Sequence, residues 1–237
     1  MLDSVNPSNS ERFLRRIRSF VPRQSRLTPG QAFALQHYWS DFGLDAHLQY
    51  DFTSVFARTA PLIVEIGFGN GDSLAEMALA HPENNYIGIE VHKPGVGHLL
   101  MRLKQDNINN IRVYCHDAID ILEQHIPDHS LTGVHLFFPD PWPKKKHHKR
   151  RIIRGNFINL LTKKLKSGGY FHAATDWQDY AEDMLTTLQQ AKQLHNHSTT
   201  KTYCERPDYR PLTKFEQRGI RLGHGVWDLI FSKKFTE

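Results

Sequence analysis

The feature that most constrains this chain is an alternation of two hydrophobic patterns that begins at Pro61. Short apolar runs, typical of buried strands, are separated by segments whose apolar residues recur at helical spacing. The apolar runs cover residues 62–68, 86–91, 111–116, 131–138, 170–175 and 226–232. This alternation predicts an α/β fold with a doubly wound, mostly parallel sheet and helices on both faces. Ligands of such sheets bind beyond the carboxyl ends of the strands, so we look for functional residues there.

The composition agrees with one large α/β domain and an extension. The chain has 237 residues, 39% of them hydrophobic, which is enough to bury a sizeable core. Its 2 cysteines form no C-x-x-C motif, which favours a reducing compartment. No apolar run approaches the length of a membrane-spanning helix, and no apolar signal segment begins the chain. We therefore expect a cytoplasmic protein without a membrane partner.

The formal net charge of +5 permits nucleic-acid binding, and the positive charge is clustered at residues 12–26 and 144–151. We interpret residues 1–55 as an N-terminal extension packed on a main domain of residues 56–237. Its basic arm is either a solvated amphipathic helix or a contact to RNA phosphates through Arg12, Arg15, Arg16 and Arg18. Thr28 and Pro29 predict the start of the next helix, with threonine as its N-cap.

The ends of the first three predicted strands carry residues that suit a nucleoside cofactor. They are Glu65, Gly67, Gly69, Gly71, Glu90 and Asp117. Alternate glycines allow a tight turn close to a ligand, and an acid after the second strand suits ribose hydroxyls. An acid after the third strand suits the exocyclic amine of adenine. Each acid alone also fits the N-cap of a following helix.

The spacing of the glycines separates two possible cofactors. Turns that bind NAD have the pattern G-x-G-x-x-G, whereas this chain has G-x-G-x-G directly after Glu65. A carboxylate at that position repels a pyrophosphate and attracts the ammonium group of S-adenosylmethionine. We therefore predict S-adenosylmethionine as the cofactor.

Residues 134–151 combine a buried strand, a turn with one acid between two prolines, and a strongly basic run. An acid at the sheet edge beside a phosphate-attracting segment indicates chemistry on a nucleic acid. Asp140 is the candidate catalytic residue, and its alternative role is to cap nearby N–H groups. Trp142 either stacks on a base or packs beneath the loop. The basic run is either a solvated surface or a phosphate contact.

Five motifs make the chain similar to a known family. They are EIGFGNG at residues 65–71, GIEVH at 88–92, FFPDPWPKKKHHKRR at 137–151, ATD at 174–176 and RPDYRPLTKFEQRG at 206–219. Together they resemble the bacterial tRNA (guanine-N7)-methyltransferases, from about residue 21 to the C-terminus. The resemblance implies a class I methyltransferase fold with a Rossmann-like, seven-stranded sheet. It also implies S-adenosylmethionine as methyl donor and a guanine in the tRNA variable loop as acceptor, with the protein acting as a monomer or homodimer.

The resemblance also implies roles for individual residues. Glu65, Glu90, Asp117 and Asp140 would line the cofactor site. The substrate would contact Lys144, Asp176, Thr213, Lys214, Phe215 and Glu216. The tRNA would contact Lys146, His147, His148, Lys149, Arg150 and Arg151. The chain has Ser25 where the family more often has glycine, which bears only on local backbone shape.

Several of these residues also fit structural roles. Asp176 suits the N-cap of the helix after it, and Glu216 suits an ordinary salt bridge in a proline-rich loop. Guanine N7 has a lone pair and no proton, so its methylation does not require a general base. We therefore expect Asp140 to hold the guanine and to stabilise the positive charge that develops on it.

Other functions remain as alternatives. The Pro-Asp-Pro-Trp turn loosely resembles the turn of enzymes that methylate exocyclic amines, and the protein could be a non-catalytic RNA-binding module or an NAD-dependent oxidoreductase. The 15 histidines show no spacing to cysteines or acids that is typical of a metal site, so we expect no metal.

Overall fold

The computed structural model of the protein describes residues 17–21, 26–221, 223 and 225–235, without the side chains of Lys214, Phe215, Arg218 and Ile220. The predictions for Arg12, Arg15, Arg16 and Ser25 lie outside the described residues, as do those for the side chains of Lys214 and Phe215. The proposed boundary between residues 55 and 56 stays a prediction.

The first helix of the described extension is the one that the sequence predicts after Thr28. Helix α1 (Pro29–His37) starts at a capping box, in which Thr28 Oγ1 accepts from the Gln31 backbone N–H at 3.3 Å. The Gln31 side chain in turn accepts from the Thr28 N–H at 2.9 Å. The extension continues through α2 (Trp39–Phe42), β1 (Gly43–Leu44) and α3 (Phe52–Phe56).

The rest of the chain alternates strands and helices. These elements are β2 (Leu62–Ile66), α4 (Asp72–Ala80), β3 (Asn85–Ile89), α5 (Lys93–Gln105), β4 (Ile111–Tyr114), α6 (Ala118–Gln124), β5 (Leu131–Phe137), α7 (Gly155–Lys164), β6 (Leu165–Thr175), α8 (Gln178–Gln189), β7 (Leu194–Asn196), α9 (Lys214–Arg221) and β8 (Trp227–Lys233). A 3-10 helix, Lys145–Arg150, lies between β5 and α7.

The described residues form one sheet of eight strands in the order β1-β4-β3-β2-β5-β6-β8-β7. Strands β1 to β6 pair in parallel, and β8 is antiparallel to both β6 and β7. The doubly wound α/β fold is therefore confirmed. The count of seven strands is corrected to eight, because the two-residue β1 of the extension adds an edge strand that pairs with β4.

Two local predictions are corrected. The pair Gly168-Gly169 follows apolar residues at helical spacing, which in the sequence predicts the end of a helix there. In the structure α7 already ends at Lys164, and Gly168, with φ of 75°, lies inside the long strand β6. Leu165 already pairs with Leu131, so the tertiary pairing extends the strand backwards through the glycines. The proline-rich loop predicted around Glu216 is instead the first turn of α9.

The sheet is buried on both faces, which explains why its strands are apolar at successive positions. Val64 packs into a core formed with α6, α7 and α8, whereas the adjacent Ile63 packs into a core with α1, α4 and α5. Successive side chains of a strand point to opposite faces, so a two-sided core requires uninterrupted apolar runs. A polar side chain in such a run is therefore conspicuous, and Glu65 in β2 is one.

Candidate active site

The glycine turn after β2 has the backbone conformation that its sequence predicts. Gly67, Gly69 and Gly71 have φ of 72°, 60° and 78°, a region that L-residues other than glycine rarely adopt. A Cβ placed at Gly67 or Gly69 would meet nothing within 4 Å, so there is open space beside the turn. A Cβ at Gly71 would lie 2.7 Å from the Leu99 side chain, so that glycine also permits α4 and α5 to pack.

Gly95, in the first turn of α5, supports the same turn from behind. A Cβ there would lie 2.1 Å from the carbonyl oxygen of Gly69, so any side chain would displace the turn. Gly95 is not at a strand end, so the pattern of strand ends does not mark it. The available signal was a glycine directly after Lys93-Pro94 near the start of a predicted helix.

Glu90, after β3, is half-buried and binds the glycine turn. Its Oε2 accepts from the Gly69 N–H at 2.9 Å, and its Oε1 accepts from the N–H groups of Val91 at 2.7 Å and His92 at 2.9 Å. The carboxylate therefore connects the loops after β2 and β3. Its expected contact with ribose hydroxyls stays a prediction.

Glu65 lies beneath the glycine turn with only 3% of its surface exposed, and its Oε2 has no hydrogen-bond partner among the described residues. Burial, together with the negative charge of Glu90, raises the pKa of Glu65 to about 8. A buried acid without a complete set of partners is costly unless something else binds it. There is open space beside Gly67 and Gly69, and one Glu65 oxygen has no hydrogen-bond partner among the described residues. Both features suit a ligand that carries the ammonium group of an amino acid.

Asp117, after β4, caps α6. It is buried, and its Oδ1 accepts from the Ile119 N–H at 3.0 Å. The N-cap role that the sequence allows is thus present. The predicted contact to adenine stays a prediction.

Asp140 occupies the turn that follows β5. The turn is flanked by two residues other than glycine with positive φ, Phe138 at 51° and Trp142 at 47°. The Phe138 N–H donates to Ala174 O of β6 at 2.8 Å, which fixes the start of the turn. Asp140 is exposed, and among the described residues its carboxylate has no hydrogen bond or ion pair. It is therefore not a cap, and it faces solvent at the edge where β2 also ends.

Trp142 packs under the loop. Its Nε1–H donates to the Ser19 carbonyl oxygen at 3.0 Å, and the Arg150 guanidinium lies 5.0 Å from its ring centroid. The indole therefore connects the extension to the loop after β5, which favours packing over stacking on a base.

The basic run forms the 3-10 helix, and its members divide into two groups. The exposed side chains are those of Lys144, Lys145, Lys146 and Lys149, whereas His147, His148 and Arg150 are half-buried. The exposed lysines of this short helix and of its N-cap position, Lys144, give a positively charged surface beside Asp140.

Arg151 requires a correction. It was grouped with the RNA contacts, but it is 3% exposed and forms ion pairs with Asp179 and, at 3.0 Å, with Asp183 of α8. Its Nε–H also donates to Pro141 O at 3.0 Å. Because its donors are used inside the protein, Arg151 anchors the basic run to α8 and does not present a charge to a phosphate.

Asp176 is exposed at the end of β6, next in the sheet to β5. It does not cap α8, because Trp177 is the N-cap residue and no side-chain cap is formed. The Trp177 N–H is bound instead by Thr175 Oγ1 at 3.2 Å. Asp176 therefore stays a candidate for the substrate side of the site.

The segment from Thr213 to Glu216 differs from its prediction. Thr213 Oγ1 accepts from the Glu216 N–H at 3.1 Å, which caps α9. Glu216 is 3% exposed, and both its oxygens accept from Arg210, at 2.6 and 2.7 Å. Glu216 therefore forms a buried ion pair with Arg210, a residue that no motif pattern singled out. Its predicted contact with guanine stays a prediction.

Two absences among the described residues bear on other functions. No group of three or more histidines, cysteines and acids among them is arranged to hold a metal ion. None of the helices in the described ranges has both the length and the apolar character needed to cross a bilayer.

Comparison with known proteins identifies relatives over nearly the whole chain. A family model described as "Putative methyltransferase" matches residues 59–229. The tRNA (guanine-N(7)-)-methyltransferase of Shewanella amazonensis is 58% identical over 222 residues, 93% of this chain and 93% of that protein. The protein of the same description from Sodalis glossinidius is 58% identical over 97% of both chains. That of Yersinia enterocolitica is 54% identical over 98% of both.

Solved structures of similar fold include methyltransferases of ribosomal RNA. The 16S rRNA methyltransferase KamB has a TM-score of 0.58 and 14% identity, covering 79% of this chain and 95% of its own. A 16S rRNA (adenine(1408)-N(1))-methyltransferase from Catenulisporales acidiphilia, solved with its cosubstrate, has a TM-score of 0.57 and 14% identity over 82% of this chain and 93% of its own. At these identities the likeness shows the fold alone, a class I, Rossmann-like methyltransferase fold.

Proposed function

Since the chain belongs to the family of bacterial tRNA (guanine-N(7)-)-methyltransferases, we propose that it methylates N7 of a guanine in the variable loop of tRNA, with S-adenosylmethionine as methyl donor. The observation that carries the proposal is that two carboxylates without a complete set of hydrogen-bond partners in the described chain lie at the carboxyl ends of neighbouring strands. Glu65 is buried with an unsatisfied oxygen, and Asp140 is exposed without a partner in the described chain. They come from neighbouring parallel strands, β2 and β5.

The loops after β2, β3 and β4 would hold the cofactor. Glu65 would bind the ammonium group, Glu90 the ribose and Asp117 the adenine, with the open space beside Gly67 and Gly69 receiving the ligand. When bound, S-adenosylmethionine supplies a methyl group on a positively charged sulfur.

Asp140 would hold the acceptor. The ring N–H and the amino group of guanine are donors on the edge opposite N7, and an exposed carboxylate accepts from both. This contact orients N7 towards the cofactor side, which is the positioning that a displacement in line with the methyl group requires. The same negative charge stabilises the cationic base as it forms. No residue has to remove a proton from N7.

The exposed lysines of the basic run would contact phosphates of the tRNA. Lys144, Lys145, Lys146 and Lys149 are exposed beside the Asp140 turn. Such contacts supply affinity without sequence information, so they would bring the tRNA to the site and leave the choice of base to Asp140 and the residues around it.

The test is methylation of unmodified tRNA with labelled cofactor, followed by identification of the labelled nucleoside. The expected product is 7-methylguanosine in the variable loop. Label in an N-methylated exocyclic amine would show that the acceptor atom is different. Cofactor binding without any transfer to tRNA would overturn the proposal.

A further inference from the structure

A fully buried cluster of charged side chains lies behind the acceptor side of the site. Arg210 is 0% exposed, and its Nε and Nη2 donate to the two oxygens of Asp228 at 2.7 and 2.9 Å. Its Nη1 and Nη2 also donate to Glu216. His172 Nε2 bonds the same Asp228 at 2.7 Å, and Tyr209 Oη bonds His172 Nδ1 at 2.9 Å. One guanidinium thus binds two carboxylates in a fork geometry that lysine cannot reproduce.

The cluster contacts the elements that carry the acceptor site. Asp228 of β8 pairs with Ala174 of β6, and the Ala174 carbonyl holds the N–H of Phe138. The Arg210 guanidinium lies 5.7 Å from the Phe138 ring centroid. Phe138 is the left-handed residue that begins the turn containing Asp140. Arg210 therefore meets the base of that turn and the first turn of α9 at the same time.

Stability alone is a weak reason for such a cluster. Removing three charges from water costs several kcal/mol for each ion, and well-packed apolar side chains of similar volume are often as stable. What a forked ion pair adds is a defined geometry, because both carboxylates must meet the guanidinium plane. The geometry that it defines here is the position of the turn after β5 relative to α9.

We infer that Arg210 is a positioning residue for the acceptor, and that its ion pair with Glu216 is part of how it positions the site. The inference rests on the proposed function, because it concerns how the Asp140 turn is held for the same reaction. Arg210 itself touches neither substrate nor cofactor. It fixes the Phe138 ring and the start of α9, and these fix Asp140 and Thr213.

A double-mutant cycle tests the inference. The variants are Arg210→Met, Glu216→Gln and the two combined, measured as single-turnover methylation at saturating tRNA and cofactor. We expect Arg210→Met to lose about 100-fold in rate, the cost of a reacting group displaced by about 1 Å. Glu216→Gln keeps one acceptor and should lose about tenfold, and the double variant should stay within about threefold of Arg210→Met. Arg210→Lys, which keeps the charge but not the fork, should not restore the rate.

A matched control separates positioning from general destabilisation. Lys164 is also buried and ion-paired, to Asp128 at 2.8 Å, but it lies where β6 begins, at the opposite edge of the sheet. Lys164→Met should lower the melting temperature and leave the single-turnover rate within about twofold, since no site residue depends on it. Calorimetry with S-adenosylmethionine on every variant reports whether the cofactor side is still folded.

Independent losses would overturn the inference. If the double variant lost about 1,000-fold, the product of the single losses, Glu216 would act on the substrate without Arg210. A full rate in Arg210→Met with intact cofactor binding would also reject it. Failure of the proposed function is distinguishable, because the unmodified enzyme would then give no 7-methylguanosine in the same assay.

Discussion

Charged side chains are buried both at the amino ends of the parallel strands (the amino edge) and at their carboxyl ends (the carboxyl edge). Their hydrogen bonding differs between the two. At the amino edge, Lys164 donates to Ile126 O and to Asp128, each at 2.8 Å, and Lys233 donates to Leu165 O at 2.8 Å. At the carboxyl edge, Glu65 is buried with an oxygen that has no partner in the described chain. At the amino edge, protein groups bind the buried charges. At the carboxyl edge, Glu65 keeps an oxygen that a ligand can bind.

The difference shows which buried charges point to function. A buried charge whose hydrogen bonds are all made within the protein, as at Lys164, is explained by the fold. A buried charge that lacks a hydrogen-bond partner has a desolvation cost that the fold does not offset. Arg210 and Glu216 show a third case at the carboxyl edge, where complete partners lie directly behind the site. The comparison predicts that equivalent substitutions at the two edges have opposite consequences for rate and stability.

The largest effect is expected at Asp140. Asp140→Asn should reduce the single-turnover rate by about 100- to 1,000-fold, because it removes the charge opposite the developing cation. Its melting temperature should not change, since the carboxylate forms no hydrogen bond or ion pair with the described residues. The measurement pairs rapid-quench methylation with thermal unfolding. A near-normal rate would reject the role assigned to Asp140.

Glu65 should control cofactor affinity. Glu65→Gln is expected to weaken S-adenosylmethionine binding by about 10- to 100-fold, because the ammonium loses its charged partner. Titration calorimetry measures the loss. An unchanged dissociation constant would place the ammonium elsewhere.

The raised pKa of Glu65, about 8, adds a pH dependence with a definite sign. Below this pKa the carboxyl must release a proton to pair with the ammonium, so affinity should increase by up to about tenfold per pH unit towards pH 8. Without cofactor, the folded protein keeps a proton that the unfolded chain loses above its usual pKa of 4.5. The free energy of unfolding should therefore decrease as the pH rises from 4.5 to about 8. Both trends should be absent in Glu65→Gln.

A smaller effect is expected from the basic surface. Replacing Lys145, Lys146 and Lys149 with alanine should weaken tRNA binding and reduce the slope of log affinity against log salt by about 2 to 3. The rate at saturating tRNA should not change. The control is Lys163→Ala at the amino edge, which keeps the full slope. Equal slopes in both variants would mean that the 3-10 helix does not contact phosphate.

The smallest effect on rate is expected at Asp128, the acid of the amino edge. Asp128→Asn should leave methylation unchanged but lower the melting temperature, because it breaks the ion pair with buried Lys164. The hydrogen bond from Lys164 lowers the pKa of Asp128, so this stabilisation is present at neutral pH. It should be lost as the pH falls through the lowered pKa, where the two melting curves converge. A rate loss in this variant would contradict the separation of the two edges.

The fold and the cofactor half of the site follow from local sequence signals. Apolar runs mark strands buried on both faces, and their ends must meet at one edge when the strands are parallel. Glu65, the three glycines and Asp140 could be found in this way because each is adjacent to a strand end. The positive φ of all three glycines agrees with the need for a tight turn. The helix start at Thr28 was equally local, because a capping box lies within four residues.

The acceptor half depended on contacts between distant parts of the chain. Arg151 and Glu216 belong to motifs that look like substrate contacts, but Arg151 pairs with α8 and Glu216 with Arg210. Arg210 pairs in turn with Asp228, 18 residues away on β8. Charge and spacing indicate which residues carry chemistry. Whether a charge faces a ligand or another buried charge is decided by burial and pairing, which depend on how β5, β6, β8 and α9 pack.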